Sequence, residues 1–305
     1  MKTKFSLIAG LALLAASCSN DPEVLNPDEV TAPAPETLVP VTVHVNDFSI
    51  SMTENDATSG QTRAAVLPEN YSPVNAVMLA FYDAEGTEVY KTTQVKNEGT
   101  YTTFGQFTAN LQVGTYTMVA LGYAHFPGDQ FTLTSPTQAG YSTERPRETF
   151  CLKQDVTVTA AAPLDLDVTL NRISAKLWIY STDGRPAGAT KIRTTFAKGG
   201  KTFNPSTGLS LTDAGFTQTN NPSTDVGATI GISCFPFLAT DEETMNVTIE
   251  ALDANLNVLF TKTIENVPFK RSYITTVSGP IFTANSSSVG MKLSTDWGEF
   301  DPITF

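Results

Sequence analysis

The chain has 305 residues, 19 basic against 31 acidic, and a net charge of −12 at neutral pH. An acidic chain with no basic cluster argues against nucleic acid as a partner and against adhesion to anionic lipid heads. Hydrophobic content of 41% supports a packed core, and three cysteines without CxxC or Cys/His spacing give no metal motif.

The first element is a leader. Lys2 and Lys4 form a positive start, Phe5–Ala16 is apolar, and the small residues Ala15, Ala16 and Ser17 lead to Cys18. The apolar run is shorter than the roughly 20 residues needed to cross a bilayer as a helix. The pattern predicts a signal peptide over residues 1–17 and a lipid on Cys18. Ala15 stands where such signals usually carry leucine, with Leu14 one residue back. The alternative is an ordinary secretory signal whose cleavage site falls before a cysteine. A diacylglycerol with an amide-linked acyl chain would anchor firmly, since stable anchoring takes two lipid signals. Loss of residues 1–17 removes Lys2 and Lys4, leaving 17 basic against 31 acidic residues, or −14.

Residues 18–40 carry Pro22, Pro27, Pro33, Pro35 and Pro40 with acids and no aromatic residue, which predicts a flexible tether. From Val41 the character changes. Val41, Val43 and Val45 alternate with polar residues, then Phe48, Ile50 and Met52 take the opposite parity, so a bulge is expected near Asn46-Asp47. A polar loop, Glu54–Thr62, precedes Arg63 and Ala64. Val74–Tyr82 is an apolar run expected to be a buried strand, and DAEG (Asp83–Gly86) is a hairpin turn. Strands are expected at Thr103–Asn110, Tyr116–Tyr123, Thr149–Thr159 and Leu164–Leu170, with a looser Gly/Pro/Ser/Thr-rich stretch at Ala124–Arg147.

Leu164, Leu166, Val168 and Leu170 share one parity, whereas Ile173, Ala175, Leu177 and Ile179 share the other. A switch inside one continuous stretch predicts a strand that leaves one sheet for another, and it places a boundary between residues 41–171 and 172–305. The second half repeats the pattern at Lys191–Phe196, Thr229–Phe237, Met245–Leu252, Val258–Ile264 and Tyr273–Val277. A Gly/Asn/Pro loop follows Phe196. Val289–Trp297 closes the half, with Val289, Met291, Leu293 and Trp297 on one face. No window beyond the leader has sustained helical spacing with caps. Short strands with regular turn signals predict an all-β chain of two antiparallel sandwiches. Cys151 and Cys234 stand in apolar strand contexts and are expected to be two buried free thiols, although an exported chain permits a disulfide between them.

Catalytic patterns are missing. His44 and His125 are the only histidines, and no serine elbow, HExxH, Walker loop or GxGxxG occurs. Asp165/Asp167 and Glu242-Glu243 read as solvated acidic faces, so no enzyme activity, cofactor or metal is expected. Trp178, Tyr180 and Tyr123 either stack on sugars or cover a sheet face. The first option would make the chain a surface glycan-binding lipoprotein of a carbohydrate importer.

Seven stretches resemble, in order, the fimbrillin superfamily, the subunits and anchors of type V pili in Gram-negative anaerobes. They are AASC at Cys18, SGQTRAAV around Arg63, VNAVMLAFYDAEG, FGQFTANLQVGTYTMVALG, LNRISAKLWIY, VPFKRSYITTVSGPIFT and the closing DWGEF. The resemblance spans about Val41–Trp297. The flank Asn20-Asp21-Pro22-Glu23 resembles the tag that sends lipoproteins of such bacteria to the outer face of the outer membrane. The resemblance implies two tandem transthyretin-like sandwiches and a role in adhesion at the cell surface. It implies other pilin subunits as partners, with host or bacterial surface ligands beyond them. It further implies protease processing between Arg63 and Ala64, which would free the piece Cys18–Arg63 with its first strand and open a groove for a strand of the next subunit. Only GEFDPITF follows Trp297, and Pro302 disfavours a donor strand there, a departure that fits an uncut, lipid-retained anchor or tip-like member.

Overall fold

The computed structural model describes residues 37–50, 65–128, 130–143, 145–222, 230–283 and 289–295. Cys18, Arg63, Ala64, Trp297, the leader and most of the tether lie outside the described residues. The segment Thr37–Phe305 forms one compact unit. Its first strands are β1 (Leu38–Ser49), β2 (Ala65–Val66), β3 (Ala76–Tyr82), β4 (Glu88–Val95), β5 (Gln106–Gln112), β6 (Gly114–Tyr123), β7 (Phe131–Ser135), β8 (Gln138–Tyr141), β9 (Thr149–Val158) and β10 (Leu164–Arg172). There follow β11 (Lys176–Ser181), β12 (Lys191–Phe196), β13 (Thr202–Phe203), β14 (Phe216–Asn220), β15 (Ile230–Cys234), β16 (Glu242–Leu252), β17 (Val258–Lys270), β18 (Ile274–Gly279) and β19 (Gly290–Ser294). No α-helix occurs among the described residues. The chain is all-β and builds two sandwiches in series.

In the first sandwich β1 lies between β10, to which it is parallel, and β5, to which it is antiparallel; β2 takes over the second flank at its far end. The facing layer runs β9-β6-β3-β4. The two layers meet at one corner, where Asn171 and Arg172 of β10 pair with Cys151 and Phe150 of β9. Between the layers lie Val41, Val43, Val45 and Phe48 of β1, Phe107 and Leu111 of β5, Leu79 and Phe81 of β3, and Met118 of β6, all buried. The expected bulge is present: pairing with β10 slips between Val45 and Asp47, so Asn46 is the extra residue and Phe48 returns to the inner face.

The second sandwich repeats the plan. One layer runs β15-β11-β18-β19 and the other β14-β12-β16-β17, around a core that includes Leu177, Ile179, Phe196, Val247, Ile249 and Phe269. The chain changes sheets where parity predicts it. Leu170 packs in the first core, Ile173 in a third cluster, and Ala175, Leu177 and Ile179 in the second core.

That third cluster explains why every residue of β3 is buried. The inner side of β3 faces the first core. Its outer side (Ala76, Met78, Ala80, Tyr82) lies under a small sheet ordered β13-β8-β7 and under Phe237. Here Thr202 and Phe203 pair with Gly140 and Ala139, so a strand from after Arg172 completes a hairpin from before it. Gly140 is required by this approach, because a Cβ there would stand 2.5 Å from the Lys201 carbonyl oxygen. The stretch expected to be loose therefore contains β7 and β8, and the expected Gly/Asn/Pro loop contains β13 and β14. Both thiols are free and buried, and burial pushes each up to about 12. The closing strand differs from expectation: among the described residues β19 ends its sheet beside β18, with Met291 46% and Leu293 39% exposed.

Candidate functional site

β1 is the opening strand of the described chain and yet sits in the middle of a layer, between β10 and β5. Its inner positions Val39, Val41, Val43, Val45 and Phe48 are buried. Each contributes about 1.5–3 kcal/mol of burial. Its outer positions are polar. His44 Nε2 lies 2.9 Å from Asp165 Oδ1, and Asn46 Nδ2 donates to Asp167 Oδ1 at 2.7 Å. β1 is thus held by backbone ladders on both edges and by side chains on one face. Its withdrawal would leave two unpaired edges, β5 and β10, bordering an apolar trench.

The far end of β1 is held hardest. The Phe48 ring stacks on Phe150 with centroids 4.7 Å apart, and Tyr71 closes edge-on at 6.0 Å. The floor of this socket is Gly122 of β6: a Cβ there would stand 2.7 Å from Phe48 Cε1 and 2.9 Å from Cζ. Beyond the ring, Arg172 Nε donates to Glu148 Oε1 at 2.8 Å and Nη1 to the Ile50 carbonyl at 2.5 Å. Its Nη2 donates to the Tyr71 hydroxyl at 3.0 Å, and that hydroxyl donates to Glu148 Oε1 at 2.7 Å. The Arg172 and Glu148 side chains are 1% and 6% exposed. Such a buried pair holds only while every polar group is satisfied, and the Ile50 carbonyl is one of its partners. Burial, then the Glu148 carboxylate beside it, holds the Tyr71 phenol well above its ordinary pKa.

The outer edge of β5 is closed to lateral pairing. Tyr90 donates to the Thr108 carbonyl at 3.3 Å, Gln94 to the Gln106 carbonyl at 2.6 Å, and Tyr116 to the Gln112 carbonyl at 3.0 Å. Side chains of the facing layer thereby cap the edge that another chain would otherwise extend.

The other sequence-derived candidates do not converge. Tyr123 is buried and stacks on Phe131 at 4.2 Å. Trp178, on a different sheet, lies over Gly231, where a Cβ would come within 2.6 Å of its ring. The backbone N–H and C=O of His125 are both bound by the Asn75 amide, at 2.6 and 2.9 Å. Glu242 pairs with Lys270 at 2.6 Å, and Glu243 accepts from the Ala239 N–H. Among the described residues no group of three or more His, Cys, Asp or Glu could hold a metal ion. Sequence reasoning missed Glu148, Tyr71 and Gly122. Their signal was an acid, a phenol and a glycine in apolar surroundings, which identifies no partner without the fold.

The sequence profile of a family described as "Family of unknown function (DUF6562)" matches residues 40–299. No curated protein matches the sequence. Among solved structures, the fimbrial anchor protein Mfa2 from Porphyromonas gingivalis is similar at 9% identity, covering 85% of this chain and 98% of that one, with a TM-score of 0.45. A candidate cell adhesion protein from Bacteroides ovatus shares 11% identity over 87% of this chain and 99% of its own, at 0.47. A candidate polysaccharide-binding protein from Bacteroides thetaiotaomicron shares 11% over 79% and 90%, at 0.46. Likeness at this level fixes neither function nor partner.

Proposed function

This chain belongs to the DUF6562 family, and from that premise we propose that it is a structural subunit or membrane anchor of a cell-surface fimbria, assembled by β-strand addition and serving adhesion. One observation carries the reading. β1 is a central strand that fills an apolar trench from one side, and residues 51–64, with Arg63, directly follow it. Cleavage between Arg63 and Ala64 would sever β1 from the rest of the first sandwich without cutting any other strand. An incoming strand would then regain both ladders and the buried face. While β1 stays in place the trench is shut, and capping of β5 closes the neighbouring edge.

In this reading Cys18 carries the lipid, residues 18–40 hold the body clear of the outer membrane, and 41–171 and 172–305 are the two working sandwiches. Other pilin subunits are the partners. An uncut chain keeps its lipid and serves as an anchor; a cut chain becomes a fibre subunit. The three aromatics weighed for glycan binding form no common platform: Tyr123 is buried in the first half, whereas Trp178 and Tyr180 are half-buried on β11 of the second. Mass and N-terminal sequence of the protein from native membranes and fibres test the proposal. A start at Ala64 supports a subunit, and an acylated Cys18 in assembled fibres supports an anchor. Absence from every fibre fraction overturns both roles.

A further inference from the structure

The first sandwich is open on the side opposite the corner where β9 and β10 pair. β4 ends one layer there and β5 ends the other. With the connecting segment 96–105 they line a groove of about 600 Å³. Small-ligand clefts fall in the range of roughly 300–1,000 Å³. The walls are fixed from within the protein. Lys96 N–H donates to the Asn75 carbonyl at 2.7 Å, Gly105 N–H to Gln94 Oε1 at 2.8 Å, and Val45 N–H to the Gly105 carbonyl at 2.9 Å. The Tyr101 hydroxyl donates to the Val95 carbonyl and accepts from the Asn97 N–H, each at 3.0 Å. Its ring packs on Phe104 with centroids 5.8 Å apart.

The lining is rich in hydroxyls and poor in charge. Glu98 is its one charged residue, so no cation is present to hold an anionic ligand. The hydroxyls of Thr92, Thr100, Thr102, Thr103 and Thr108 make no hydrogen bond among the described residues. Each is able to donate and to accept. Tyr90 and Tyr101 differ, because their hydroxyls are committed to the Thr108 and Val95 carbonyls. What these two half-buried rings offer the groove is carbon. Ring carbon beside uncommitted hydroxyls complements a sugar, which has apolar C–H faces and a rim of hydroxyl groups. The Glu98 carboxylate adds an acceptor for that rim. A peptide strand fits less well, since the Gln106 and Thr108 carbonyls of β5 already accept from Gln94 and Tyr90.

We infer that this groove binds a neutral glycan, with Tyr90 and Tyr101 against a sugar ring and the threonine hydroxyls and Glu98 reading its hydroxyl groups. The inference gives the adhesive part of the proposed function a ligand class and rests on that reading for its setting. Binding itself needs no exchange of β1, which pairs with the other edge of β5. Native affinity electrophoresis of the full chain tests it, in gels containing mannan, xylan, galactomannan or mixed-linkage β-glucan. Heparin and polygalacturonate serve as anionic controls. At least one neutral polymer is expected to retard the chain, and calorimetry with oligosaccharides cut from that polymer gives the Kd. Thr100→Val combined with Thr102→Val should weaken binding about tenfold, the loss of two hydrogen bonds, at an unchanged melting temperature. Tyr101→Ala should weaken it at least as much. Retardation by no neutral polymer, or by the anionic polymers alone, overturns the inference. So does an unchanged Kd in the double threonine variant. Absence of the chain from fibres would remove the adhesive setting and leave the measured glycan binding standing.

Discussion

β1 and β11 occupy the same place in the two sandwiches. Each runs between a parallel neighbour (β10 or β18) and an antiparallel one (β5 or β15), facing a four-stranded layer. Their attachments differ. β11 continues from β10 through three residues, and its approaches are tied by Ala175 N–H to the Pro236 carbonyl, Lys176 N–H to Tyr273, and Thr182 N–H to Gly279. β11 cannot leave without dragging β10 and breaking both sandwiches. β1 has other strands only on its C-terminal side in the described chain, joined through residues 51–64. The same topology therefore gives a permanent keystone in one half and a replaceable one in the other, and chain connectivity makes the difference.

The sharpest way to break this comparison is to put a carboxylate under each keystone. Ile179→Asp should abolish folding of the second sandwich. Val43→Asp should cost more than about 4 kcal/mol, by burying an unpaired charge, yet free β1 while the second sandwich stays protected. Limited proteolysis with mass mapping reads this; identical loss of protection in both variants would erase the distinction. Next in size is Glu148→Gln, which strips the buried Arg172 of its counter-charge and should cost about 3–5 kcal/mol in urea denaturation. Tyr71→Phe should cost about 1–3 kcal/mol at the same end of β1.

The two thiols report the halves separately. Burial raises both Cys151 and Cys234 to about 12, from an ordinary value near 9. The native state keeps these protons where the unfolded chain gives them up. Their contribution to stability is therefore complete below pH 9 and is lost as pH rises towards 12. At pH 8 neither thiol should react until its surroundings open, and loss of β1 should speed labelling of Cys151 more than of Cys234. The smallest effect is expected at the surface. His44→Gln removes a contact to an Asp165 side chain that is 75% exposed, and should change stability by less than about 1 kcal/mol.

Much of this architecture was legible because β-strands have a period of two. The parity slip at Asn46 gave the bulge, and the switch after Leu170 gave the change of sheet. The unbroken apolar run of β3 announced a strand covered on both sides, without saying by what. The cover could not be read. β8 and β13 are four and two residues long, too short for an alternation signal, and β13 finds its partner only in β8, from the other half of the chain. The Arg172–Glu148–Tyr71 cluster was hidden for a related reason. In LNRISAK, Arg172 continues the inward parity of Leu170, where pattern alone expects an apolar residue. The socket under Phe48 was invisible too, since Gly122 looks like any glycine near a strand end.

The long parallel pairing of β1 with β10 has a mechanical side. Tension entering at Leu38 along the strand axis loads the rungs from Val41–Leu164 to Ser49–Asn171 together with the antiparallel rungs to β5. In this shear geometry rupture needs many bonds to fail at once, whereas a pull across the strand would unzip them one at a time. If Cys18 holds the chain to a membrane, the tether delivers its pull at Leu38, and the cluster around Arg172 at the far end of β1 shares the load with the rungs. The lifetime of such an attachment under load follows the rate of forced unfolding rather than equilibrium stability.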